Sequence, residues 1–253
     1  MGKSLYIAEK PSVAQEFAKA LKQNMKRRDG WLESDESIVT WCVGHLVTMS
    51  YPEAYDPKYK KWSLSTLPFL PKEFKYEVIP NVKKQFDIVS GLLNRKDVDT
   101  IYVCTDSGRE GEYIYRLVEQ MAKIKGKTRK RVWIDSQTEE EILRGIREAK
   151  DLSAYDNLSA SAYLRAKEDY LMGINFSRIL TLKYGNSIAG FLHKNLCGAL
   201  GRAGHDLCAW DGGKKRAGDP GVRQTPVLPC ACEYGRGRAA FQGRMESSQR
   251  VPL

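Results

Sequence analysis

Val103–Arg116 reads VCTDSGREGEYIYR, and it closes a run of apolar residues that begins at Thr100. The run TIYVCT predicts a buried strand over Thr100–Thr105, and GREGEYIYRLVEQMAKI behind it predicts a helix. One Asp, two Glu and two Arg therefore crowd around two Gly where a strand gives way to a helix. In open parallel sheets, ligand chemistry gathers at the carboxyl ends of the strands. This stretch thus decides the fold class and marks where the site should lie.

Working outward, SLYIAE (Ser4–Glu9) predicts a second buried strand that ends in charge. A helix should follow it at once, with Pro11 in its first turn and Val13, Phe17, Ala18 and Leu21 at helical spacing. Ser37–Val47 reads as a strand with a Gly-His break, and Asn81–Lys96 as an amphipathic helix. Between them runs a Pro- and aromatic-rich connection without period, of which Leu64–Phe74 reads as a surface excursion. Lys130–Asp135 predicts another strand, and SQTEEEILRGIREAK a helix opened by a Ser136-to-Glu139 capping box. Residues 155–185 predict a long helical stretch broken near Gly173. Strands alternating with helices over 1–150 define an α/β fold, a Rossmann-like, mainly parallel sheet flanked by helices.

The chain has 253 residues, 42% hydrophobic and 28% charged, the composition of a globular protein. No apolar run is long enough for a bilayer and the N-terminus lacks a signal-peptide pattern, so a cytoplasmic protein without membrane attachment is expected. The net charge of +10 points to a polyanion such as nucleic acid. Composition breaks near Ala189: the last 65 residues hold 11 of the 21 Gly and 4 of the 6 Cys, and no Ile.

Glu9 ends the first strand, Asp106 ends a later one, and Glu110 lies a helical turn further on. If the two strands are neighbours, three carboxylates meet at one sheet edge. A divalent cation is the usual reason for such a cluster, and oxygen-only ligands favour Mg²⁺ over Zn²⁺. The alternative keeps Glu110 and Glu112 as solvated helix charges and Asp106 as a helix cap.

LYIAEKPSVAQEFAKAL together with YVCTDSGREGEYIY resembles the toprim domain of type IA DNA topoisomerases, topoisomerase III branch. RVWIDSQTEEEI and SAYLRAKEDYLMGINFSRILT continue the resemblance, which covers about residues 3–188. It implies single-strand DNA cleavage, strand passage and resealing through a 5′-phosphotyrosine, with Mg²⁺ as cofactor. It also implies roles: Glu9 protonates the leaving 3′-oxygen, Lys10 holds the scissile phosphate, and Glu9, Asp106 and Glu110 hold the metal. Arg109 would brace the acidic cluster and Glu112 stand behind it, while His45, Arg165, Arg178 and Lys183 would lie along single-stranded DNA. Gly108 replaces the second Asp of the family signature, which predicts weaker metal binding. A monomer is expected.

Residues 151–190 then match only the start of the family's helical domain. Reverse-translating 203–221 with one choice of codons and shifting by one nucleotide restores R-V-M-T-C-V-L and M-V-V-R-R-E-R-E-I-R-E, which resemble the family's continuation. Residues 191–253 are therefore expected to be an out-of-frame, disordered tail, and the chain a truncated, inactive topoisomerase without its nucleophilic Tyr. The spacing of Cys208, Cys230, Cys232 and His205 fits no common zinc finger. Alternatives are a non-catalytic Mg²⁺- and single-strand-binding module, or another toprim enzyme such as a primase or nuclease.

Overall fold

The computed structural model describes the backbone of residues 2–191 and the side chains of residues 2–185. The expected disorder of the tail, and its cysteines, fall outside the described residues.

The centre is a seven-stranded sheet in the order β2-β3-β4-β1-β7-β8-β9. Its parallel middle comprises β4 (Ser37–Trp41), β1 (Lys3–Ala8), β7 (Val98–Cys104) and β8 (Thr128–Arg131). Antiparallel edges close both sides: β2 (Lys26–Arg27) and β3 (Trp31–Glu33) on one, β9 (Lys150–Asp151) on the other. The mixed, mostly parallel sheet agrees with the fold class read from the sequence.

Alternation in the central strands feeds two cores. Leu5, Ile7, Ile101 and Val103 face α2 (Lys83–Leu93) and α3 (Arg109–Ala122), with α5 (Asp156–Phe191) packed beyond through Ala162. Tyr6, Ala8 and Cys104 face α1 (Pro11–Ala20) and α4 (Glu139–Arg147), which contribute Val13, Phe17 and Ile142. Pro11 opens α1, where its missing N–H costs nothing.

Several elements depart from the sequence reading. Ser37–Val47 is not one interrupted strand: after β4 the chain turns at Gly44 (φ +84°) and enters β5 (Val47–Met49), which pairs with β6 (Tyr76–Val78) in a separate sheet. β8 stops at Arg131, and past Val132 the chain leaves the ladder, with the N–H and C=O of Ile134 both bound to the Ser107 hydroxyl at 3.0 and 2.8 Å. The capping box is absent: Thr138 precedes α4 without a side-chain cap, and Glu141 rather than Glu139 accepts from a preceding amide, that of Asp135. α5 runs through Gly173 unbroken. One Gly costs a helix about 1 kcal/mol, and the turn beside it is anchored by buried Ile174 and by the bonds of Asn175 to Phe69. Nor is Leu64–Phe74 merely a surface excursion: Phe69 is 2% exposed, ringed by Tyr55, Tyr59 and Tyr170, and Asn175 brackets its backbone at 2.6 and 2.9 Å.

Candidate active-site edge

Ala8 pairs with Trp41 on one side and Cys104 on the other, so β1 and β7 end side by side. Glu9 and Asp106 then leave neighbouring strands at the same sheet edge. The Glu9 carboxylate is nearly buried and accepts from the Asp106 amide at 3.3 Å. The Lys10 ammonium bridges the pair, 3.3 Å from Glu9 Oε1 and 3.4 Å from Asp106 Oδ2. Partial burial lowers the Lys10 pKa, but Glu9 and Asp106 outweigh it and the net direction is upward.

Glu110 does not join them in this arrangement. It turns to His45, whose Nε2 lies 2.5 Å from its Oε1, and that bond holds its carboxyl below the usual range, with Arg165 adding to the effect. His45 follows β4 and sets its ring edge-on to Tyr113 of α3. Among the described residues no three His, Cys, Asp or Glu side chains are placed to hold a metal ion together. Nevertheless, the donor chemistry fits a hard cation. Two carboxylates already share one positive charge, that of Lys10, and every oxygen there is of the kind that binds Mg²⁺ or Ca²⁺.

The Asp106 turn is held from beneath. Thr105 donates its hydroxyl to the Gly111 carbonyl at 2.7 Å, and the Glu112 amide closes on the Gly108 carbonyl at 3.1 Å. The main support is Arg131, fully buried in β8. Its Nη1 donates to the carbonyl oxygens of Val103, Thr105 and Val132 at 3.0, 2.7 and 3.2 Å, and its Nη2 to that of Asp106 at 2.7 Å. Its charge meets fully buried Glu112, with Nε 3.1 Å from Oε2. Arg116 holds the other oxygen of Glu112 at 2.8 Å. Burial lowers the Arg131 pKa and Glu112 opposes the shift.

Glu112 is therefore no solvated helix charge. The expected brace, Arg109, stands exposed at the start of α3 and makes no ion pair with the cluster among the described residues; Arg131 occupies that role in space. It was legible in RVWID only as an Arg inside a strand, and nothing in the sequence aimed it at the turn. A cleft of about 320 Å³ opens beside Asp106, lined by Thr105, Ser107, Ile134, Asp135 and Ser136.

The residues expected along DNA do not share one environment. Arg165 is exposed on α5, 3.6 Å from Asp169, and Lys183 is exposed further along. Arg178 is 4% exposed with its guanidinium 5.2 Å from the Trp62 ring centre, so in this arrangement it packs against the protein.

A family model described as the Toprim domain matches residues 4–136, more than half of the chain, and the chain belongs to that family. Within it, the similarity runs to proteins named DNA topoisomerase 3. That of Bacillus cereus is 48% identical over 184 residues, 73% of this chain and 25% of its own length. That of Staphylococcus epidermidis is 45% identical over 182 residues, covering 72% and 25%. That of Bacillus subtilis is 42% identical over 189 residues, covering 75% and 26%. The chain thus spans about a quarter of the length of these curated relatives. Among the described residues no helix is long and apolar enough to cross a membrane.

Proposed function

We propose that this chain carries the acidic, phosphate-facing part of a type IA topoisomerase active site of the topoisomerase III kind. The observation that supports it is the convergence of Glu9 and Asp106 around Lys10 at the ends of adjacent parallel strands. In the proposed reaction a Tyr oxygen forms a bond to a phosphorus of single-stranded DNA while the bond to the 3′-oxygen breaks. Glu9, protonated for this step, gives that oxygen its proton and takes it back on resealing, while the proton of the Tyr hydroxyl passes to solvent. Lys10 holds the charge of the scissile phosphate. Glu9 and Asp106 would hold Mg²⁺, joined by Glu110 once it leaves His45. The ion, when bound, neutralises a neighbouring phosphate. His45, Arg165, Arg178 and Lys183 are proposed to follow the DNA strand.

Residues 1–150 are read as the toprim domain, 151–190 as the start of the helical domain, and 191–253 as out-of-frame sequence. A monomer in the cytoplasm is proposed. The nucleotide sequence around codon 195, read in three frames, tests the division.

The metal assignment is tested by melting the chain with and without Mg²⁺. Mg²⁺ should raise the melting temperature of the parent protein and leave Asp106→Asn unmoved. An equal rise in the variant would defeat the assignment.

A further inference from the structure

Arg131 is the largest of the fully buried side chains and belongs to none of the residue sets that bind metal, phosphate or DNA in the proposal above. As an ion pair it has little stabilising purpose, because a buried pair is often replaced by apolar side chains without loss. Its placement has a sharper consequence. β7 ends at Cys104; the Val103 carbonyl still accepts from the Val132 amide at 3.0 Å, whereas Thr105 and Asp106 lie past the end of the strand. The planar guanidinium supplies a rigid fork of donors to the carbonyl oxygens of Val103, Thr105 and Asp106. Three consecutive turn residues are fixed by other means as well: Thr105 to Gly111, Asp106 to Glu9 and Ser107 to Ile134. Arg131, however, reaches the turn from the neighbouring strand β8 with a charge that Glu112 balances.

We infer that Arg131, held in place by Glu112, is a positioning residue that sets the direction in which Asp106 presents its carboxylate to a divalent cation. The inference rests on the metal reading of the proposed function. Arg131 touches neither DNA nor the ion. It acts through the Asp106 carbonyl, which its Nη2 holds at 2.7 Å, and so orients the backbone from which the carboxylate leaves. Lys in its place keeps the charge but is a point donor that cannot serve three carbonyls in a plane.

Two variants of the full chain test this, Arg131→Lys and the double variant Arg131→Met with Glu112→Met. The double variant leaves no buried charge unpaired, because Arg116 keeps Asp156 and the Leu152 carbonyl. Three readouts are needed: melting without metal, Mn²⁺ affinity by electron paramagnetic resonance of the free ion, and hydrogen exchange of the peptide covering residues 104–110. Folded variants should bind Mn²⁺ roughly ten- to a hundredfold more weakly, as for other residues that orient metal ligands. They should also exchange faster over 104–110 alone. A folded variant with parental affinity and parental exchange would overturn the inference. If the parent itself binds no Mn²⁺, the metal reading fails, and exchange alone decides the positioning: faster exchange upholds it, unchanged exchange removes it.

Discussion

Gly111 and Gly108 stand three residues apart and obey opposite constraints. A Cβ at Gly111 would meet the Asp106 carbonyl oxygen at 2.1 Å, and backbone cannot move aside as a flexible side chain does. Gly111→Ala should therefore cost roughly 1–3 kcal/mol, the usual range for overpacking, and shrink the Mg²⁺-induced melting shift. Denaturant unfolding checks the first and thermal melting the second. At Gly108 a Cβ would meet nothing within 4 Å, and φ of 174° is extended backbone open to any residue. Gly108→Asp should thus fold normally and bind Mn²⁺ more tightly than the parent, since it returns the carboxylate present in the family signature. Weaker binding by that variant would show that the carboxylate cannot reach the ion from this position.

At the level of elements, two connections carry more than their sequences announce. Among the described residues, Asn175 of α5 supplies the hydrogen bonds to the Phe69 backbone that tie the 64–70 segment to that helix. Asn175→Ala leaves an amide and a carbonyl unpaired at a nearly buried residue, a loss of about 1–3 kcal/mol. Limited chymotrypsin digestion should then cut the variant near Leu64–Leu70 well before the parent. The second connection is the start of the sheet, where Glu33 of β3 binds Lys3 of β1 at 2.8 Å and Arg95 behind α2 at 2.8 Å. The Arg95 hydrogen bond, with Lys3 and Trp31 assisting, pulls the Glu33 carboxyl from its ordinary 4.5 to about 2. Between those values the unfolded chain binds the proton and the folded one does not, so stability from this group is complete above about pH 5. It is lost as pH falls toward 2. Glu33→Gln should melt lower at pH 7 and lose less stability than the parent between pH 5 and pH 2. Equal pH slopes would contradict the assignment.

For the whole molecule, the decisive question is the nucleophile. Burial pushes the hydroxyls of Tyr6, Tyr113, Tyr115 and Tyr163 upward in pKa, the reverse of what an attacking oxygen needs. The 253-residue chain is predicted to give no relaxation of supercoiled plasmid and no covalent DNA adduct at any Mg²⁺ concentration. Relaxation would require a Tyr of this chain to act, and single Tyr→Phe variants would locate it. Binding of single-stranded DNA, if driven by the net charge of +10, should weaken steeply with salt.

Local order was enough to read the central strands, the helices and the Glu9 and Asp106 pair. A buried parallel strand is a short apolar run, an amphipathic helix repeats every 3.6 residues, and chemistry at strand ends follows from both. Sequence also exposed the Gly108 departure, because a missing carboxylate is visible without coordinates. What tertiary structure decided were pairings between residues distant in the chain. Glu110 faces His45 across 65 positions, Arg131 reaches under Asp106 from β8, and Arg178 lies against Trp62 instead of solvent. The edge strands β2, β3 and β9 are two or three residues long, too short for any period to register. Whether a charged side chain is solvated or buried depends on which partner the fold brings within about 3 Å, and no spacing along the chain encodes that distance.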